Sequence, residues 1–379
     1  MDFLLLGLTA TTWQQLVMYG IGATLIYLAI SKKLEPALLL PMGFGAILVN
    51  IPFSGALHTT MSGIGEVAGI LEWLFEVGIE ASEAMPLLLF IGIGAMIDFG
   101  PLLSNPKLIL FGAAAQFGIF ATVSIAVLLG FPLRDAASIG IIGAADGPTS
   151  ILVSQVLRSE YVGAIAVAAY SYMALVPIIQ PFAIKLVTTK KERAIRMPYN
   201  PKSVSRMARL FFPIVVTLFA GYVAPASVSL VGLLMFGNLI RESGVLGSLS
   251  ETAQNAFANL ITLLLGITIS ASMQAERFVR YETMLIMVLG LLAFVFDSIA
   301  GVLFAKFLNL FSKNKVNPMV GAAGISAFPM SARVVQRMGQ QADSQNHLLM
   351  HAVGANVAGQ IASVIAGGVI LGLVPGMLV

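Results

Sequence analysis

The sequence contains no cysteine, only three histidines and two tryptophans, and charged residues make up just 10% of it. Without cysteine there are no disulfides, iron-sulfur clusters or thiolate zinc sites, and His58, His347 and His351 are too few and too scattered for a histidine-rich metal cluster. Transition-metal chemistry is thereby set aside. So little charge is far from the composition of a soluble globular domain. The net charge of +3 is accounted for by loop Lys and Arg, so no nucleic-acid partner is read from it. The opening Met1-Asp2-Phe3 lacks the basic stretch of a cleaved signal peptide, which leaves membrane insertion to the helices of the mature chain.

What is present is apolar: 58% of the 379 residues are hydrophobic and the mean hydropathy is +0.93. The chain reads as an all-α, polytopic integral membrane protein. Runs long enough to span lie near 14–30, 36–52, 84–99, 108–131, 161–186, 208–223, 256–273, 283–311 and 347–378. Three shorter segments interrupted by Gly or Pro, near 136–157, 224–240 and 316–335, bring the expected total to about ten to twelve membrane elements.

Charge is distributed unevenly. Residues 53–83 carry Glu66, Glu72, Glu76, Glu80 and Glu83 with no Lys or Arg, and Val67 to Ile79 reads as an interfacial helix. Lys185, Lys190, Lys191, Arg193, Arg196, Lys202, Arg206 and Arg209 crowd one connection, which the positive-inside rule places in the cytoplasm. This basic loop, 185–209, divides the chain. N-terminal helices and an interfacial segment (1–83) and a first repeat (84–184) precede it; connecting helices (210–255) and a second repeat (256–379) follow. The repeats rest on two landmarks. FIGIGAMIDF from Phe90 and LLGITISASM from Leu264 are 174 residues apart, and GAADGPTSILVSQ from Gly143 and GAAGISAFPMSARVVQ from Gly321 are 178 apart. Each repeat would hold one broken helix, at 143–155 and 317–336.

The first of these breaks holds Asp146 between apolar segments, with Gly147 and Pro148 behind it. A carboxylate at membrane depth marks an ion or substrate pathway by default, and freed carbonyls are tolerated there only where they line a cavity or are buried in protein. A short polar loop at the surface is the plainer alternative. The second break supplies Asn317, Gly321, Ser326 and Arg333. Carboxylate, amide and hydroxyl oxygens with unwound carbonyls suit a hard alkali cation such as sodium. Individually, Asn317-Pro318 also fits a turn, Ser326 a helix-packing serine, and Arg333 either a snorkelling cation or a fork for an organic carboxylate. A helix resuming beyond Gly321 would set Ser326 and Arg333 on one face about 10 Å apart. Tyr170 and Tyr172 must face different ways on one helix; Asp297 is a second intramembrane acid, with Lys306 or an adjacent helix as its partner, and Asp98 is interfacial.

GAADGPTSI, GNLIRESGV, NPMVGAAGISAFPMSARVVQ and LLMHAVGANVAGQIASVIAGG occur in order. From about Pro36 onward, the chain resembles the β subunits of the sodium-pumping biotin-dependent decarboxylases, the oxaloacetate, methylmalonyl-CoA, glutaconyl-CoA and malonate decarboxylase group. The resemblance implies a membrane subunit that decarboxylates carboxybiotin, consumes a proton and exports sodium across a bacterial cytoplasmic membrane. It implies carboxyltransferase, biotinyl carrier and small membrane subunits as partners, a homo-oligomer of this chain, and a body divided into a mobile core and a scaffold. It places sodium at Asp146, Tyr172, Asn317, Gly321 and Ser326, catalysis at Asp146, Tyr172 and Arg333, and carboxybiotin at Arg333, with Tyr170 facing lipid or scaffold. A sodium- or proton-coupled secondary transporter without chemistry is the competing reading, and a plain membrane anchor a third.

Overall fold

The computed structural model describes residues 7, 9–61, 65–81, 83–198, 203–312 and 314–377. The opening Met1-Asp2-Phe3 and Lys202 of the basic loop lie outside them. The principal helices are α1 (Trp13–Ser31), α2 (Pro36–Val49), α3 (Ala84–Met96), α4 (Ile109–Ala115), α5 (Phe117–Leu128), α6 (Leu133–Gly140), α7 (Gly147–Val156), α8 (Val162–Val187), α9 (Arg206–Val223), α10 (Val228–Ser243), α11 (Ala258–Ile269), α12 (Tyr281–Phe311), α13 (Met330–Ala342) and α14 (Leu349–Met377).

The chain is an all-α polytopic membrane protein with one small exception. His58–Met61 and Gly65–Ala68 pair as an antiparallel ribbon, His58 opposite Ala68. The interfacial helix expected from Val67 therefore starts only at Ile70, and it runs as one short α turn into a π turn over Glu76–Glu80. By length and apolarity, six helices among the described residues cross a membrane, or eight if each bent pair is one span. That is fewer than ten to twelve because the breaks cut spans into pieces too short to qualify. α7, with ten residues, covers only about 15 Å of a hydrocarbon layer about 30 Å thick. Pro177 bends α8 by 72° between Met173 and Leu175, as expected where a proline lacks the N–H that would bond four residues back.

Small residues let the helices close. α1 and α2 meet at Gly22 and Gly43, whose missing Cβ positions lie against each other's backbone carbonyls. α3 and α10 meet at Gly94 and Gly237, whose missing Cβ positions lie against the Leu234 and Ile91 carbonyls of the facing helix. α12 crosses the short helix Met319–Ala322 through Gly301 and Gly321, backbone on backbone. With hydrocarbon outside, such close approach supplies the van der Waals contact that the hydrophobic effect gives in water. Phe211, Leu218, Phe219 and Tyr222 of α9 face outward.

The basic segment after α8 folds back onto the second break. The backbone carbonyl of Arg193 accepts from Asn317 Nδ2 at 2.9 Å and Asn346 Nδ2 at 3.1 Å. Arg196 forks onto Asp343 at 2.5 and 3.0 Å, which holds the Asp343 carboxyl below the usual carboxylate range. Lys306, near the end of α12, reaches Glu192 at 2.9 Å and the Val187 carbonyl at 3.0 Å.

Candidate functional site

Both interrupted segments are genuine breaks, and they touch. The first runs from α6 through one 3-10 turn, Ile141–Ala144, to Ala145 in the left-handed region (φ 54°) and extended Asp146, before α7 begins at Gly147. Pro148 in the first turn of α7 sits where an orphan N–H would otherwise be. The second runs from the short helix at Met319–Ala322 through irregular backbone to α13 at Met330. Ser326 N donates to the Ala144 carbonyl at 3.0 Å, so the two breaks hydrogen-bond to one another directly. Other freed carbonyls are met by amide side chains. Gln180 of α8 donates to Ala322 O at 2.8 Å, and Asn356 of α14 to Ile325 O at 2.6 Å. This is the arrangement in which non-helical backbone survives at membrane depth.

Asp146 lies at the crossing, 3% exposed. Its Oδ1 accepts from Thr149 N at 3.2 Å and so caps α7. Its Oδ2 accepts from Ser363 Oγ at 3.0 Å and Gln360 Nε2 at 3.4 Å, both on α14. Ser326 Oγ in turn donates to Ser363 Oγ at 3.0 Å. Among the described residues the fully buried Thr149 hydroxyl meets no partner of hydrogen-bond geometry. Among the described residues no Lys, Arg or His pairs with Asp146. A buried carboxylate with hydroxyl and amide neighbours but no protein counter-charge needs a proton or a bound cation to balance it. The oxygens of Asp146, Thr149, Ser326 and Ser363 form the hard donor set that an alkali cation takes in exchange for water.

Residues 14–374 match the family model for the Na+-transporting oxaloacetate decarboxylase beta subunit. The chain belongs to that family. It is 49% identical to the methylmalonyl-CoA decarboxylase subunit beta of Propionigenium modestum over 378 residues, 94% of either chain. It is 45% identical to the oxaloacetate decarboxylase beta chain of Klebsiella pneumoniae, covering 97% of this chain and 96% of that one. It is 47% identical to the glutaconyl-CoA decarboxylase subunit beta of Acidaminococcus fermentans, covering 98% and 96%. The family expected from the motifs is thus the family found. The chain is a membrane decarboxylase subunit of the sodium-transporting kind, and a secondary transporter without chemistry is not favoured.

Of the residues that the decarboxylase resemblance singles out, the structure brings Asp146 and Ser326 together and sets the others apart. Asn317 spends its side chain on backbone: Nδ2 donates to Arg193 O at 2.9 Å and Ile195 O at 2.8 Å, while Oδ1 accepts from Met319 N at 3.0 Å. Gly321 is the contact with Gly301 of α12. Tyr172 donates its hydroxyl to the Met287 carbonyl on α12, beside Gly290. Tyr170, expected to face lipid or scaffold, is instead 2% exposed, its ring filling the place of a Gly147 side chain next to Asp146 and its hydroxyl without a hydrogen-bond partner among the described residues. Arg333 is exposed and makes no ion pair among the described residues. It shares no helical face with Ser326, because α13 begins at Met330 and Ser326 lies in the irregular stretch before it. Asp297 does not pair with Lys306; it accepts from Gly118 N, at the start of α5. Thr149, Gln360 and Ser363 were not foreseen as site residues. Asn356, Gln360 and Ser363 fall at i, i+4 and i+7 of a helix that is otherwise apolar beyond His351, a polar stripe that marks its inward face.

Proposed function

We propose that this chain decarboxylates carboxybiotin delivered by a partner subunit and couples that step to sodium export and the uptake of one proton. The reading is carried by Asp146, a membrane-buried carboxylate ringed by hydroxyls and an amide with no cationic side chain beside it among the described residues. Sodium or a proton would hold that position in turn. The relatives support the substrate: their names give three different acids, yet they are 45–49% identical to this chain over nearly its whole length. A membrane subunit so uniform fits a substrate common to all three. In the reaction the bond between the biotin nitrogen and its carboxyl carbon breaks, carbon dioxide leaves, and a proton takes the vacated nitrogen. Sodium uptake by inverted vesicles containing the purified complex, with each candidate acid offered in turn, tests the reading. No acid driving uptake would overturn it.

The finer architecture belongs to the same proposal. Asn317 and Gly321 would reach the cation only after the second break moves against α12 and the basic segment, which fits a mobile core against a scaffold. The 84–184 and 256–379 regions would be two repeats supplying one broken helix each, within about ten to twelve membrane elements. The 185–209 segment would divide them, with 1–83 and 210–255 as flanking helices. Carboxyltransferase, biotinyl carrier and small membrane subunits, self-association of this chain, and a bacterial cytoplasmic membrane complete the setting.

Two substitution pairs probe the roles. The resemblance assigns proton-linked chemistry to Tyr172, whereas Tyr170 lies nearer Asp146 with a hydroxyl that has no partner among the described residues. Tyr170→Phe is expected to shift the pH profile of turnover. Tyr172→Phe, which loses the bond to Met287, is expected to lower turnover at every pH without moving the profile. A profile moved by Tyr172→Phe alone would return the proton-linked role to Tyr172. Arg333→Lys keeps the charge and loses the planar fork; it is expected to raise the carboxybiotin concentration for half activity about tenfold. A defect that sodium alone repairs would show that the organic anion binds elsewhere.

A further inference from the structure

Gln180 lies fully buried in the C-terminal half of α8, beyond the bend at Pro177. Its Nε2 donates to the Ala322 carbonyl at 2.8 Å and to Ser331 Oγ at 2.6 Å. The first acceptor ends the short helix Met319–Ala322, and the second lies in the first turn of α13. One amide group with two hydrogens thus joins both ends of the irregular stretch in the second break. A carbonyl oxygen can only accept, so the nitrogen of the side-chain amide, and not its oxygen, faces Ala322.

The rest of the break is held without Gln180. In its middle, Ser326 N donates to Ala144 O, Ser326 Oγ to Ser363 Oγ, and Asn356 Nδ2 to Ile325 O, so the oxygens around Asp146 have their own supports. The Ala322 end is fixed too, because Gly321 lies backbone on backbone against Gly301 of α12. Further along α13, Gln336 Oε1 accepts from Leu348 N and Leu349 N, both at 2.7 Å, and Asp343 just past its end is held by Arg196. The first turn of α13 is different. Among the described residues, the hydrogen bonds that tie it to other elements are made by Ser331: the one from Gln180, and a long one of 3.5 Å to Ala322 O. Arg333 stands two residues beyond Ser331 in that same turn.

Resting on the proposed carboxybiotin reading, we propose that Gln180 is a positioning residue that aims the guanidinium of Arg333 at the carboxylate of carboxybiotin, by pinning the first turn of α13, and that it leaves the cation site alone. A planar fork binds a carboxylate through two parallel N–H bonds, so a small displacement of the turn that carries it loses much of the contact. Without the amide, Ser331 Oγ keeps only its long contact with Ala322 O. That contact closes to about 2.8 Å, the ordinary hydroxyl distance, which draws the turn towards the short helix and carries Arg333 with it. It also gives the Ala322 carbonyl a donor, so the fold survives the loss.

The test uses the full chain in proteoliposomes with the carboxylated biotinyl carrier subunit added. Carbon dioxide release is titrated with carrier at saturating sodium and with sodium at saturating carrier. Gln180→Met, close to Gln in length but without donors, is expected to raise the carrier concentration for half activity about fivefold and to leave the sodium value unchanged. Ser331→Ala, which removes the acceptor of Gln180 in α13, should raise the carrier value likewise, and it stands in for Gln180→Met in every comparison if that variant fails to fold. The deciding variant is Gln180→Met/Arg333→Lys, expected to match Arg333→Lys alone, since a fork already lost cannot be misaimed. A carrier value at the wild-type level in both Gln180→Met and Ser331→Ala overturns the positioning role. So does a sodium value that moves as far as the carrier value, and so does a double variant in which the two factors multiply. A wild-type chain that releases no carbon dioxide from the carrier would remove the decarboxylation reading and the role with it, a result distinct from the other three.

Discussion

Asp146→Asn is expected to abolish sodium-dependent decarboxylation while the assembled complex is recovered in normal yield. Asn has the shape of Asp and is as good a helix cap, so Thr149 N keeps an acceptor and α7 its start. What is lost is charge. The hydroxyls of Ser326 and Ser363 and the amide of Gln360 are all neutral, so nothing else among the described residues at the crossing can balance a cation. Removing one partner of a buried charged pair costs about 3 kcal/mol or more, a hundredfold or greater loss of cation affinity. The measurement is a sodium titration of carbon dioxide release by a complex whose assembly is checked by size-exclusion chromatography. Normal sodium-stimulated turnover would remove Asp146 from the ion path. Ser363→Ala, which leaves the charge but takes one donor from Oδ2 and the link to Ser326, should raise the sodium requirement by a smaller factor.

The features legible in the sequence were those with a direct chemical signature. An acid followed by Gly and Pro inside an apolar run announced a break, and a break is what Gly143 to Asp146 form. The run of Lys and Arg after α8 announced a membrane face, and the structure folds it onto the second break. Tertiary contacts were not legible. Residues 57 and 58 give no local sign of pairing with residues near 68, so the ribbon was missed. Asn317 looked like a cation ligand because its residue type suits one, but whether an amide faces an ion or the carbonyls of Arg193 and Ile195 depends on a segment more than a hundred positions away in the chain. The two-turn spacing of Ser326 and Arg333 presumed a helix that Pro329 postpones to Met330. Tyr170 and Tyr172 were correctly expected to point in different directions, since that is helix geometry. Which of them meets Asp146 rests on Gly147 leaving room for a ring.

The remaining large effect concerns Asp297, another buried acid, which is 0% exposed in the middle of α12. Its Oδ1 accepts from Gly118 N at 2.5 Å, at the start of α5, where the span from Pro106 to Leu128 breaks at Gln116. Its carboxylate lies between two glycines: a Cβ at Gly118 would come within 2.5 Å of Oδ1, and one at Gly143 within 2.7 Å of Oδ2. Asp146 caps α7 from within its own segment; Asp297 does the same for α5 from across a helix interface, and it leans on the turn that presents Asp146. Asp297→Ala strands the Gly118 N–H, removes a cap and opens a void between three elements. An unpaired buried donor costs about 1–3 kcal/mol and a lost cap about 1 kcal/mol, before the void is counted. The expected result is a marked fall in thermal stability and in yield of the complex. Asp297→Asn keeps an acceptor for Gly118 and should retain both stability and sodium dependence. Gly143→Ala should damage the wild type, because its methyl meets both the carboxylate and Ala293 Cβ at 2.9 Å, and should damage Asp297→Ala less, because only the Ala293 contact remains. If Asn fails together with Ala while the protein remains folded, the carboxylate acts through its charge and not as a cap. If Asp297→Ala melts and pumps as the wild type does, neither role survives.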